Sequence, residues 1–161
     1  MAPAEPERSV WDRTEWSSRC SSERALHSMN VVKSAAVLYV KDLLRMRPFY
    51  RACFQMVVVD DGQDYCVLES ESLTLSLVTV PERLAAAIVL SVPPSRREGV
   101  PIKLAFAVDS IEALRPLLTE LGGVVDPATS QWEFRGGIHC DGVDPEGNVL
   151  QLVQPMIQTI S

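Results

Sequence analysis

The residues best equipped for chemistry crowd into one short stretch: His139, Cys140 and Asp141, followed by Asp144. Histidine ordinarily titrates near neutral pH, so His139 qualifies as a general acid–base. Neighbours along a strand point to opposite faces, which puts His139 and Asp141 on one side and Cys140 on the other. That alternation works against a His–Cys nucleophilic pair, which needs spatial contact. It permits a displaced metal site built from His139, Asp141 and Asp144. The competing reading of His139 is a structural histidine held by hydrogen bonds. The other histidine, His27, lies far upstream. The four cysteines, Cys20, Cys53, Cys66 and Cys140, show no Cys-x-x-Cys spacing, which excludes a zinc ribbon or a thioredoxin-like motif.

The elements that must position these groups come in two similar sets. Residues 35–40 alternate as a short strand, and Asp42 can cap a helix from Leu43 to about Phe54. Three strands follow: Met56–Val59, Tyr65–Leu68 after the turn Asp60-Asp61-Gly62, and Leu73–Val78. A connector with four prolines spans 79–101, where Glu82–Val89 fits a short helix or an extra strand equally well. The pattern then returns. Residues 103–108 alternate, Ser110 can cap a helix to about Leu121, and Gly122-Gly123 ends it. A strand at Val124–Val125 precedes a loop holding Pro127 and Trp132. The strands Gly137–Val143 and Val149–Gln154 follow, joined by Asp144-Pro145-Glu146-Gly147, which has the residue order of a type I turn. Each half reads βαβββ. An offset of 68 lays Val40 on Val108, Leu43 on Ile111 and Arg47-Pro48 on Arg115-Pro116. A proline there kinks each helix or marks a loose first turn.

Composition sets the outer limits. The 161 residues are 47% hydrophobic and 22% charged, as expected of a globular chain of roughly one-domain length. A net charge of −6 disfavours phosphate backbones, so nucleic acid is not an expected partner. No apolar run approaches the ~20 residues of a membrane span. Four cysteines and no secretory signal point to reduced thiols in a cytoplasmic protein. Residues 1–30 stand apart, rich in Ser, Arg and Glu, with Trp11 and Trp16 as their bulky features. They read as a disordered extension or as sequence upstream of a start at Met29. The alternative is a segment that docks through its tryptophans. The globular part then covers 31–161, with modules at 33–80 and 101–155.

Three stretches carry a family resemblance. They are Val40-Lys41-Asp42-Leu43 with Phe49-Tyr50, Leu104 to Ile111, and Asp144-Pro145-Glu146-Gly147-Asn148-Val149-Leu150-Gln151-Leu152. In this order and spacing the chain resembles the vicinal oxygen chelate superfamily: glyoxalase I, bleomycin-resistance proteins, fosfomycin-resistance enzymes and extradiol dioxygenases. The resemblance implies an α+β fold whose two βαβββ modules form an open, barrel-like cleft, and it implies homodimers. Metal-dependent members use four cleft positions, which fall here on Ala35, Ser76, Lys103 and Gln151. Ala35 has no donor, Lys103 is a cation, and Ser76 is a poor ligand, which leaves Gln151. No metal and no other cofactor is therefore expected. Gln55 stands where relatives commonly carry glycine after the first helix, so that turn is expected to differ.

If those four positions face the cleft, so do their same-parity neighbours, including Val37, Tyr39, Thr74, Ala105 and Val153. Lys103 reads as an anchor for an anionic group, or as a lysine paired with a nearby acid. Gln151, His139 and Ser76 would add hydrogen bonds, while Trp132 and Tyr39 would wall the pocket. The expected function is metal-independent binding of a small anionic molecule, as bleomycin-resistance-type proteins do. One rival is a lyase, isomerase or dioxygenase with a relocated metal or a His139 acid–base. The other is a partner-binding module with an idle cleft.

Overall fold

The computed structural model describes residues 33–156, so Trp11, Trp16 and the readings of residues 1–30 lie outside the described residues. Alternation does what the sequence requires in β1 (Ser34–Val40): Ala36, Leu38 and Val40 turn toward the core, and Ala35, Val37 and Tyr39 stay exposed. The Asp42 side chain accepts from the Arg45 amide and starts α1 (Leu43–Cys53). That helix buries Met46, Phe49, Tyr50 and Cys53. The strands β2 (Val57–Asp61), β3 (Tyr65–Glu69) and β4 (Leu73–Thr79) complete a sheet in the order β1-β4-β3-β2, with β1 parallel to β4. The expected turn at Asp60-Asp61-Gly62 is shorter than read. A bulge at Val59 lets β2 continue to pair through Asp61.

The connector forms one short helix, α2 (Glu82–Ala85). The second set is β5 (Leu104–Ala107), α3 (Ile111–Glu120), β6 (Val124–Val125), β7 (Trp132–Phe134), β8 (Gly137–Val143) and β9 (Val149–Pro155). Its sheet runs β5-β9-β8-β6, with β5 parallel to β9, which repeats the order of the first sheet. The added strand β7 pairs with β8, so Trp132 lies in a strand and not in a loop. The extra pairing was hidden because Trp-Glu-Phe is too short a run to show a period.

The offset of 68 holds in detail. Leu43 and Ile111 both open their helices, and Asp42 and Ser110 both cap them. Pro48 and Pro116 lie inside the helices rather than in a first turn. The arginine before each proline ties its helix to the outer strand of its own sheet. Arg47 pairs with Asp61 of β2 at 2.5 Å, and Arg115 donates to the carbonyls of Val125 and Asp126 at 3.0 and 2.8 Å. Both helices cover the inner faces of their sheets, and one hydrophobic core runs through both sets: Val40, Leu68, Leu75 and Leu77 with Phe106, Cys140, Leu150 and Leu152. Phe54 stacks on Phe106 within it, with ring centroids 3.7 Å apart. The other face of each sheet remains partly open, and that is where the candidate site lies.

Gln55 corrects the expectation that the turn after the first helix would differ. The chain after α1 is left-handed, with φ of +50° at Gln55, although no glycine is there. Because α3 is one residue shorter than α1, the matching place after it is Gly122 at φ +88°, where the amides of Gly122 and Gly123 bond back to Thr119 and Leu118. The turn therefore keeps the left-handed conformation and carries strain at Gln55.

Candidate functional site

The register of the second sheet assembles most of the expected residues. Ala105 lies level with Gln151, Gln151 with Asp141, and Trp132 with His139. Alternation sends all of these side chains to the open face. Lys103 ends just before β5, on the sheet's edge rather than on a central strand, and its ammonium meets Asp141 at 2.7 Å. The Gln151 amide donates to the other Asp141 oxygen at 3.3 Å, and its carbonyl lies 3.3 Å from Nδ1 of His139. Nε2 of His139 faces the Phe134 carbonyl at 3.0 Å. Trp132 stacks on the imidazole at 5.6 Å, and Phe134 meets it edge-on at 5.7 Å. His139 is 8% exposed, while Trp132 and Phe134 remain 39% and 57% exposed. A polar chain of four side chains thus ends in an aromatic nest that is open to solvent.

Tyr39 and Ser76 lie on the corresponding open face of the first sheet. Ser76 sits half-buried between Val37 and Val67, and Tyr39 and Tyr65 flank Val78. That face carries hydroxyls, apolar groups and its own ion pair, Lys33 with Glu69 at 3.0 Å, where Glu69 also accepts from Thr74. Asp141 and Phe134 were not singled out as ligand contacts. Asp141 emerges only from cross-strand register. Phe134 had one usable signal, its place two residues from Trp132 on a potential strand.

The hairpin turn after β8 holds the second sheet's frame against the first helix. Asp144 is fully buried. One of its oxygens accepts the amides of Glu146 and Asn148, and the other accepts Tyr50 Oη and Asn148 Nδ2, all at 2.8–2.9 Å. Burial pushes the Asp144 carboxyl above its usual range, and these hydrogen bonds pull partly against that. Burial and the neighbouring Asp144 raise Tyr50 well above the ordinary phenol value. Glu146 reaches further. Its fully buried carboxylate accepts the amides of Lys41 and Asp42 at the entry to α1, at 2.6–2.9 Å. Gly147, at φ +81°, meets the Ser95 carbonyl so closely that an added Cβ would lie 2.0 Å from it. These are framework contacts, with Asp144 spent on the turn.

The residues at the family's metal positions do not fit a divalent cation. Ala35 offers no atom, Lys103 brings a positive charge already paired with Asp141, and the Gln151 amide is committed at both ends. His139 and Asp141 do share a face with Cys140 turned inward. Among the described residues, however, no three His, Cys, Asp or Glu groups come together, so the displaced cluster with Asp144 does not form. Cys140 is a core thiol, raised by burial. Among the described residues no helix is long and apolar enough to cross a membrane.

Solved structures place this fold. A glyoxalase/bleomycin resistance protein/dioxygenase family enzyme from Burkholderia phytofirmans is 18% identical, with a TM-score of 0.58, covering 76% of this chain and 98% of that one. The fosfomycin resistance protein FosX from Listeria monocytogenes is 16% identical, with a TM-score of 0.55, covering 77% and 93%. A glyoxalase/bleomycin resistance protein from Albidiferax ferrireducens is 20% identical, with a TM-score of 0.53, covering 75% and 96%. No curated protein matches the sequence. The family model described as a glyoxalase-like domain matches residues 35–153. Since that match runs from β1 through both sheets into β9, the chain belongs to the glyoxalase-like domain family.

Proposed function

We propose that the chain binds a small anionic organic molecule without a metal, with the open face of β5, β9 and β8 as its recognition surface. The observation that carries this reading is the Lys103–Asp141 pair beside an exposed aromatic nest. The two side chains are 39% and 19% exposed, and pairs exposed to this degree contribute about 0–1 kcal/mol. A ligand carboxylate can therefore replace Asp141 at the ammonium at little cost. Trp132 and Phe134 would offer their uncovered area to the ligand's apolar part. Gln151 and His139 fix the polar edge of the site. Tyr39 and Ser76 contribute from the first sheet's face, and a second copy of the chain covers the exposed apolar residues Val57 and Val59 of the edge strand β2 in a homodimer.

Native mass spectrometry of tag-free protein, purified without chelator, tests this directly. The expected spectrum is a metal-free dimer, with or without a retained organic adduct. A stoichiometric divalent metal would overturn the metal-independent reading and favour an enzyme. Benzoate, an aromatic carboxylate, serves as the probe in solution. Lys103→Met should weaken its binding about tenfold or more, the loss of one charge-assisted contact, with the fold intact by circular dichroism. Unchanged affinity removes Lys103 as anchor.

A further inference from the structure

The polar chain on the second sheet does not close its own hydrogen bonds unless it holds one extra proton. It begins at an obligate acceptor, the Phe134 carbonyl, and ends at another, the Asp141 carboxylate. Between them stand His139 and Gln151, giving three contacts at 3.0, 3.3 and 3.3 Å. Each contact needs one donor. Gln151 donates on one side and accepts on the other. A neutral imidazole also donates only once. Two donors cannot serve three contacts, whichever tautomer His139 adopts and whichever way the Gln151 amide turns. Flipping the amide only moves the clash of two acceptors from His139 to Asp141. The doubly protonated ring supplies the missing donor.

We infer that His139 is the proton-sensing end of this chain, and that its protonation decides which end of the Gln151 amide faces Asp141. With the ring protonated, the Gln151 carbonyl accepts from Nδ1 and its amide holds Asp141. With the ring neutral and donating to Phe134, the amide turns to donate to Nδ1, and its carbonyl faces Asp141. Asp141 then rests on Lys103 alone. Gln151 is a positioning residue, carrying the state of one titrating group to another.

The surroundings leave few other charges to confuse the coupling. Lys103 and Asp141 are the charged groups of this chain. The β7 neighbours of the ring are the uncharged Trp132 and Phe134, while Glu133 alternates to the opposite side, level with Ile138. Val153 lies opposite on β9, and Arg135 sits in the turn between β7 and β8. For ligand binding the consequence, which rests on the anion-binding proposal, is proton linkage. A ligand carboxylate at Lys103 adds negative charge beside Asp141, and the imidazolium offsets it. Anion binding and protonation of His139 therefore reinforce each other reciprocally.

The test uses the full chain with His27→Asn, so that His139 supplies the single imidazole signal. Nitrogen-15 NMR from pH 5 to 9 follows the His139 ring and the Gln151 side-chain amide together. The expected result is one shared midpoint, and loss of the Gln151 response in Asp141→Asn, whose own amide can donate. A Gln151 amide that stays flat while the ring titrates overturns the inference. Benzoate added in the same series separates the two proposals. Binding that weakens as His139 loses its proton supports the linkage, and binding indifferent to that proton refutes it. No binding at any pH sinks the anion-binding reading, while the amide response still decides the relay.

Discussion

Glu146 offers the sharpest test of how the two halves are joined. Its carboxylate arises in the hairpin between β8 and β9, yet it serves the amides of Lys41 and Asp42 at the start of α1. Oε1 accepts both amides, Oε2 accepts Lys41 a second time, and Arg97 stands 3.7 Å away. Hydrogen bonds to a charged acceptor contribute about 1.5–3 kcal/mol each. Glu146→Ala removes the acceptor from two amides, and water entering the space restores part of the loss. The expected cost is about 3 kcal/mol, a large share of the roughly 5–15 kcal/mol that holds a domain together. Glu146→Gln keeps Oε1 but loses the charge and turns donors toward the Lys41 amide, for about 1–2 kcal/mol. Urea unfolding followed by circular dichroism reads both. With a slope near ~1.5 kcal/mol per molar, the midpoint should fall by about 2 M for alanine and about 1 M for glutamine. An alanine midpoint within about 0.3 M of wild type would refute the reasoning, because the amides would then need no partner from the second half.

Other positions give independent checks. Gln55→Gly should stabilise the chain by about 0.5–1 kcal/mol in thermal unfolding, since relief of the left-handed strain outweighs the added freedom of the unfolded state. Gly147→Ala should destabilise by more than ~2 kcal/mol, because it combines a positive φ with a backbone collision at Ser95, and a neutral outcome would mean the 95–97 segment can move aside. Tyr50→Phe takes one donor from buried Asp144 and should cost about 1–3 kcal/mol in urea unfolding, without changing the sheet signal in circular dichroism. Burial pushes the Cys53 thiol up to about 12 and raises Cys66 and Cys140 as well. At pH 8 only about one Cys53 in 10,000 is a thiolate, so a thiol reagent should leave all three unlabelled until denaturant opens the core.

Much of this architecture is written in local pattern. Alternation marks β1, β4, β5, β8 and β9, and side chains that cap at Asp42 and Ser110 mark both helix starts. The offset of 68 carries the duplication because it aligns caps and Arg-Pro pairs that do the same work in each half. What escapes local reading depends on distant partners. The bulge at Val59 and the extension of β2 through two aspartates follow from pairing with β3. β7 exists because β8 offers it an edge. The site shows the same division. Parity alone puts Lys103 and Gln151 on the cleft side and His139 on one face with Asp141, while Trp132 joins them only through the pairing of β7 with β8. Their actual partners, Asp141 above all, require the β5–β9–β8 register, which no single stretch of sequence contains.

The unequal faces of the two sheets are the feature that a ligand would read. Strand order, helix caps and helix-pinning arginines agree between the halves, so the folding requirements are met twice in the same way. The open faces have no such obligation, and there the halves diverge. Ala35 stands where the second half has Lys103, and the first face offers Val37, Tyr39 and Ser76 where the second offers Asp141, His139 and Gln151. An isolated charge on a face is costly to cover, whereas a paired one is cheap to exchange. Each face carries one charged pair, Lys33–Glu69 on the first sheet and Lys103–Asp141 on the second, each within reach of its counter-charge. Only the second sets its pair beside Gln151, His139 and an exposed aromatic nest. The proposed binding of an amphipathic anion rests on that difference, and so does its proposed dependence on Lys103 and on the proton at His139.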